Sequence, residues 1–197
     1  MRTIDGRIRW RPMSVAWRRP VCLASLAACL IGSTPAASDY PLMLTLDAGA
    51  NTEVTVITSS VTIRVERLME ENRWKRVTDA LKYGGYGNFF PALRALPPIG
   101  TIALNGRTVE IRYAREERDA TGRRLVLAAD RPLLFLGAPS KARAGYELTV
   151  VELRFDADGG VTGTMAGAAR VKPSADGVVL DNYAEVPVRL VARALRH

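Results

Sequence analysis

Histidine and cysteine are almost absent from this chain, and their scarcity excludes several kinds of site. The single histidine is the last residue, His197, and the two cysteines, Cys22 and Cys29, lie near the amino terminus. The rest of the chain therefore has no histidine or cysteine with which to build a Ser–His–Asp triad, a Cys–His pair or a zinc site. We therefore expect no metal, no cofactor and no catalytic residue.

The first 38 residues have the three-part pattern of a secretory signal peptide. Six arginines and a single aspartate precede residue 20, and an apolar run follows at residues 21–32. That run is shorter than the roughly 20 residues that a membrane-spanning helix needs. Small residues then fill positions 33–38. We predict a signal peptide over residues 1–38, cleaved between Ala36 and Asp39, and a single domain over residues 39–197.

An alternative leader is a lipoprotein signal. Residues 26–29 (LAAC) resemble the lipobox of bacterial lipoproteins, in which the cysteine becomes the lipidated first residue. Against this reading, only eight residues of the apolar run precede Cys29, and the run continues beyond it. We predict a periplasmic or secreted protein, with lipid anchoring through Cys29 as the minor alternative.

Most of the positive charge belongs to the leader. The whole chain has a formal net charge of +8, but the leader holds six of the 28 basic residues and one of the 20 acidic ones, which leaves +3 for residues 39–197. A charge this small gives no electrostatic case for binding nucleic acid. No apolar run in residues 39–197 is long enough for a transmembrane helix.

Residues 39–197 have the pattern of short strands joined by tight turns. Val109, Ile111 and Tyr113 alternate with polar residues, and glycine-containing loops of the hairpin type occur at residues 156–160 and 173–177. Repeated short strands with such turns are typical of antiparallel β proteins. We predict a mainly β (α+β) fold, either an antiparallel sandwich or a partly open barrel of seven or eight strands.

A helical pair is predicted inside this β pattern, at residues 69–96. Trp74, Val77 and Leu81 recur at helical spacing. The glycines at residues 84–87 predict the end of a first helix, Asn88 is placed to cap a second one, and two prolines after Leu96 terminate it.

Seven short segments form a recognisable combination, namely residues 65–68 (VERL), 96–100 (LPPIG), 111–114 (IRYA), 130–132 (DRP), 148–154 (LTVVELR), 182–183 (NY) and 187–188 (PV). Together they resemble a group of bacterial secreted proteins with no assigned function. The resemblance covers residues 61–191, and it implies export and a single domain without implying any catalytic residue.

Four aromatic residues around a glycine cluster form the first candidate site. Tyr83, Tyr86, Phe89 and Phe90 are able to line the lip of an apolar or sugar-binding cleft, with glycine allowing close approach of a ligand. The alternative is a turn between helices whose aromatic rings pack on the sheet. A second candidate is the small-residue strand at residues 163–169, approached closely either by a ligand or by the helical pair.

Charged residues supply two further candidates. Asp130 and Glu152 would be able to act as an acid–base pair if they faced each other across a cleft, although pairing of Glu152 with an arginine of a neighbouring strand is the simpler interpretation. A hairpin at residues 112–124 carries alternating arginines and acids. It is predicted to be a solvated edge with mutually paired charges, with anion or headgroup binding as the alternative.

These observations favour an exported, non-catalytic binding or assembly domain of the bacterial envelope. Its predicted partner is a small apolar ligand, a peptide strand or another envelope protein. The alternatives are a hydrolase that uses carboxylates alone and a purely structural envelope protein.

The leader hypothesis is tested by mass spectrometry of the intact protein isolated from the envelope of an expressing bacterium. We expect an unmodified amino terminus between Ala37 and Asp39, because the small residues there suit a signal peptidase. A mature chain that begins at a diacylglyceryl-modified Cys29 would instead establish the lipoprotein reading.

Overall fold

A computed structural model describes residues 40–51, 56–119, 122–135, 144–156, 158–175, 177–184 and 186–192. The predicted signal peptide, its cleavage region and Cys29 lie outside the described residues. The structure has nine strands and one helix among the described residues. They are β1 (Leu42–Asn51), β2 (Val56–Val65), α1 (Glu71–Arg94), β3 (Gly100–Leu104), β4 (Arg107–Asp119), β5 (Gly122–Ala129), β6 (Leu148–Phe155), β7 (Val161–Ser174), β8 (Gly177–Tyr183) and β9 (Val188–Ala192).

Eight of the strands form a closed antiparallel barrel. The strand order is β6-β5-β4-β3-β2-β1-β9-β7, and β7 pairs with β6 to complete the ring. The ninth strand, β8, pairs with the second half of β7 outside the ring. The prediction of a mainly β, antiparallel fold is therefore confirmed. Of the two predicted architectures the sandwich is wrong, and the barrel of seven or eight strands is right in kind and strand number but is closed rather than partly open.

The barrel closes because β7 pairs with β6 along one side and with β9 along the other, and its length leaves room for β8 beyond β9. Thr162 to Met165 pair with β9, while Ala169 to Ser174 pair with β8. The returning chain is interrupted between these strands around Pro187, a residue that cannot donate a hydrogen bond to a ladder. After the interruption, β9 also pairs with β1, and the first and last strands meet.

The inward-facing side chains of the described strands fill the barrel. An eight-stranded barrel has an interior just wide enough for side chains, and here branched aliphatic residues from every barrel strand occupy it. The largest fully buried ones are Leu46, Ile63, Ile102, Leu104, Ile111, Leu125 and Leu127. The barrel thus has a packed core, and its accessible surface for ligands is on the outside.

Helix α1 is one element made of two helical segments that meet at a kink, and the kink falls within the glycine cluster where the break of the predicted pair was expected. Only Gly85 leaves the helical conformation, with φ 67° and ψ −170°. A positive φ costs glycine little, so this one residue changes the direction of the helix without an intervening loop. Asn88 lies three residues beyond the kink with its side chain against Gly84, so it is inside the second segment rather than at its start. No helix among the described residues is long and apolar enough to cross a membrane.

The helix covers the outer face of β4 to β7 and forms a second apolar core there. Val77, Leu81, Phe89 and Leu93 pack on outward-facing residues of the barrel. Within the small-residue strand, Ala166 and Ala169 belong to this core, in line with an approach by the helix. The glycines of the strand allow a close approach of neighbouring backbone. A Cβ at Gly163 would collide with the backbone of Glu152, and a Cβ at Gly167 would collide with the backbone of Leu133.

A buried ion pair joins the end of the helix to the barrel. Asp130, whose side chain is 5% exposed, lies 3.0 Å from Nε of Arg112. The same guanidinium donates to the backbone oxygen of Leu96, just beyond the helix, and to Glu110 at 2.7 Å. Arg112 therefore links β4, the residue after β5 and the carboxyl end of α1.

Replacement of the buried carboxylate tests this link. We expect Asp130→Asn to lower the free energy of unfolding by about 2–3 kcal/mol, because it leaves the Arg112 charge poorly compensated in a largely buried position. Glu110→Gln is the matched control, since it removes the exposed partner of the same arginine and should cost less than about 0.5 kcal/mol. Urea unfolding of the two variants measures the difference, and equal losses would contradict the assignment.

Candidate functional site

The four aromatic residues around the helix kink do not form one surface. Phe89 is fully buried in the core beneath the helix, whereas the Tyr83 side chain points to solvent and is 77% exposed. Tyr86 and Phe90 lie between these extremes, with parallel rings whose centroids are 5.8 Å apart. Ligand binding by this group stays a prediction, and two of its four members stand together as a stack.

The Tyr86–Phe90 stack is tied to the rest of the protein at both ends. The Tyr86 hydroxyl donates to Oε2 of Glu147 at 2.7 Å. Burial, with a smaller contribution from Glu147, raises the pKa of Tyr86 well above its usual value. The Arg94 guanidinium lies 5.6 Å from the centre of the Phe90 ring. These contacts anchor the second half of the helix and leave Tyr86 protonated throughout the physiological range.

The two candidate acid–base carboxylates are each held by an arginine. Both oxygens of Glu152 accept from Arg124, at 2.9 Å in each case, which confirms the cross-strand pairing expected for this residue. These bonds hold the pKa of Glu152 below its usual range. Glu152 lies opposite Val126 in mid-strand, whereas Asp130 lies beyond the end of β5 in the ion pair with Arg112. They do not face each other.

The hairpin of β4 and β5 has the mutually paired charges predicted from its sequence. Nε of Arg118 lies 2.7 Å from Glu116, and Nη1 of Arg124 lies 3.0 Å from Glu117. Tyr40 also donates to Glu116, at 2.8 Å. Most of the positive charge on this hairpin is therefore matched by neighbouring carboxylates.

A groove with unmatched positive charge lies beside this network, on the outer face of β5, β6, β7 and β9. It consists of two adjoining concavities that share Arg154 and Thr162. One has a volume of about 380 Å³ and the other about 250 Å³. We call them together the arginine groove, and its lining includes Arg124, Glu152, Arg154, Thr162, Thr164 and Arg189.

Strand register explains how these residues meet. Thr162 on β7 lies opposite Arg154 on β6, and Thr164 lies opposite Arg189 on β9. Because alternate residues of a strand share one face, the two threonines lie on the same outer surface. Both threonines are exposed. Their short side chains form the floor of the groove between the arginines of the two flanking strands.

The arginines of the groove differ in how fully they are neutralised. Arg124 makes a bidentate pair with Glu152 and a further bond to Glu117. Arg154 is 66% exposed and its nearest carboxylate oxygen, on the same Glu152, is 3.7 Å away. Arg189 is exposed and makes no ion pair within the described residues. The groove therefore offers two guanidinium groups and two hydroxyls to an incoming ligand.

Sequence reasoning did not find Arg154, Arg189 or the two threonines as a site. Each is an isolated polar residue on a strand, which is the ordinary pattern of a solvated sheet face. The only sequence-based prediction that involved the groove was the pairing of Glu152 with an arginine of a neighbouring strand. The pairing of β7 with β9, which brings Arg189 to the groove, has no local signal in the sequence.

The described residues contain no group of three histidine, cysteine or acidic side chains placed to hold a metal ion. Comparisons with protein-family models, curated proteins and solved structures find no match to this chain. The class of protein that the geometry defines is a closed antiparallel β barrel with an arginine-lined groove on its outer wall.

The Arg124–Glu152 pair predicts a pH dependence of stability. Because the pKa of Glu152 is lower in the folded protein, the pair contributes fully above the unfolded pKa of about 4.5 and is lost as the pH falls through the folded value. We expect Glu152→Gln to lower the free energy of unfolding by about 1 kcal/mol at pH 7 and by less at pH 3.

Urea unfolding at the two pH values measures this effect. Glu70→Gln is the control, because Glu70 is an exposed glutamate whose arginine partner is one helical turn away. It should change the free energy by less than about 0.5 kcal/mol. A Glu152→Gln penalty that stays constant between pH 7 and pH 3 would contradict the role given to the ionised pair.

Proposed function

We propose that this protein is an exported, non-catalytic binding domain of the bacterial envelope that holds its ligand in the arginine groove. The observation that carries the proposal is the contrast between the two sides of the barrel wall. The interior is occupied by aliphatic side chains, while the outer face of β5, β6, β7 and β9 has a groove lined by polar side chains with free hydrogen-bonding capacity.

The chemistry of the groove favours binding over catalysis. Glu152, the carboxylate between the threonines and Arg124, accepts from Arg124 through both oxygens, and Asp156, which lines the far end of the groove, accepts from the backbone amide of Gly160 through one oxygen. A general base needs a carboxylate that is free to take a proton. The groups that remain, guanidinium and hydroxyl, act mainly as hydrogen-bond donors to a bound ligand.

Export is the second part of the proposal, and the leader supports it. The basic, apolar and small-residue order of residues 1–38 is that of a secretory signal, so the proposed location is the periplasm or the outside of the cell. The alternative is a lipid anchor at Cys29, and mass spectrometry of the mature amino terminus distinguishes it from cleavage between Ala36 and Asp39. In either case the barrel would meet ligands outside the cytoplasm.

A bulky residue on the floor of the groove tests the binding function. We expect a thermal-shift screen of a small-molecule library to give ligands that raise the melting temperature of the protein, and Thr164→Trp to abolish those shifts by filling the groove. Thr45→Trp is the control, because Thr45 is an exposed threonine on β1 that does not line the groove.

The outcomes of the screen separate the alternatives. Shifts that survive Thr164→Trp but disappear in Tyr86→Ala and Phe90→Ala would move the binding site to the aromatic stack. A screen without any stabilising ligand would favour a purely structural envelope protein.

A further inference from the structure

We infer that the ligand of the arginine groove carries an oxyanion, a carboxylate or a phosphate, which binds between Arg154 and Arg189. This inference rests on the proposed function and adds the chemical class of the ligand. It follows from three features of the groove: which guanidinium groups are free, what lies between them and how much space surrounds them.

The first feature is the imbalance of charge. Glu152 is the carboxylate nearest to Arg154, but both of its oxygens already accept from Arg124 at 2.9 Å. Arg154 approaches one of these oxygens only to 3.7 Å, so it is the second cation on a carboxylate that is already neutralised. Arg189 adds another positive charge without an ion pair among the described residues. An anionic group would compensate both.

The second feature is the set of donors between the two cations. Thr162 lies opposite Arg154, and Thr164 lies opposite Arg189, on the same face of β7. A guanidinium group presents paired N–H donors that match the two oxygens of a carboxylate or phosphate. Hydroxyls beside it are able to donate to the same oxygens. Glu152 lies on the other side of Thr164 from Arg189, so the two arginines lie diagonally across the threonines. Because both oxygens of Glu152 accept from Arg124, the groups that remain for a ligand at this position are the guanidinium groups of Arg154 and Arg189 and the two hydroxyls.

The third feature is the space beside Arg189. Its cross-strand partner on β1 is Gly49, and a Cβ added to that glycine would meet nothing within 4 Å. The flank of Arg189 that faces β1 is therefore not blocked by a side chain. The Arg189 side chain is thus not packed against a side chain of β1, and since it is exposed and lies opposite Thr164 it is able to reorient towards an anion in the groove.

Nuclear magnetic resonance of the arginine side chains tests the inference with inorganic phosphate and, separately, with acetate as probes. We expect the Nε–Hε signals of Arg154 and Arg189 to move on titration at constant ionic strength, with millimolar affinity. Arg154→Gln and Arg189→Gln should each weaken binding about fivefold, because each removes one exposed charge-assisted contact. Arg76→Gln, an exposed helix arginine outside the groove, is the control.

Each result supports or overturns the inference. Phosphate that binds well while acetate does not would identify a phosphate site, and the reverse would identify a carboxylate site. Equal small shifts of all exposed arginines, or affinities unchanged by both groove variants, would overturn the oxyanion site. Library ligands that are lost in Thr164→Trp but bind both groove variants normally would overturn it while leaving the proposed binding function intact.

Discussion

The barrel depends on β7, which pairs with other strands along both of its sides. On one side it pairs with β6, and on the other it pairs with β9 along its first part and β8 along its second. Since β9 also pairs with β1, this one strand turns an open row of antiparallel strands into a ring. Closure removes most of the free sheet edges and directs one face of every barrel strand into a common interior.

Because side chains fill the interior of the barrel, a ligand is able to bind only on its outside. The aliphatic residues inside stabilise the barrel but leave polar groups only on its outer wall and at its rim. Helix α1 then covers the outer face over β4 to β7 with a second apolar core. What remains open on this part of the wall is the stretch next to β9, where Arg154, Thr164 and Arg189 lie. The same strand that closes the barrel thus supplies the floor of the groove.

The site could be predicted from the sequence only in part. The alternation around Val109 and Ile111 identified the antiparallel strands, the spacing of Trp74, Val77 and Leu81 located the helix, and the lone Glu152 in an apolar strand suggested an arginine partner. Closure was not predictable in the same way, because it pairs β1 with β9 from opposite ends of the domain. The aromatic cluster is divided, because Tyr83 and Phe89 are six residues apart on the helix and so point in different directions, Phe89 to the core and Tyr83 to solvent.

The sequence by itself determined the leader pattern, the class of secondary structure and the absence of histidine and cysteine chemistry from most of the chain. These properties are local or compositional, since alternation of side chains along a strand follows from the backbone itself. Only the tertiary structure decided that the sheet closes, that the helix is one kinked element and that Arg154 and Arg189 share a groove. The physical reason is that neighbours across strands depend on register and closure, which are set by how all the inward-facing side chains pack together.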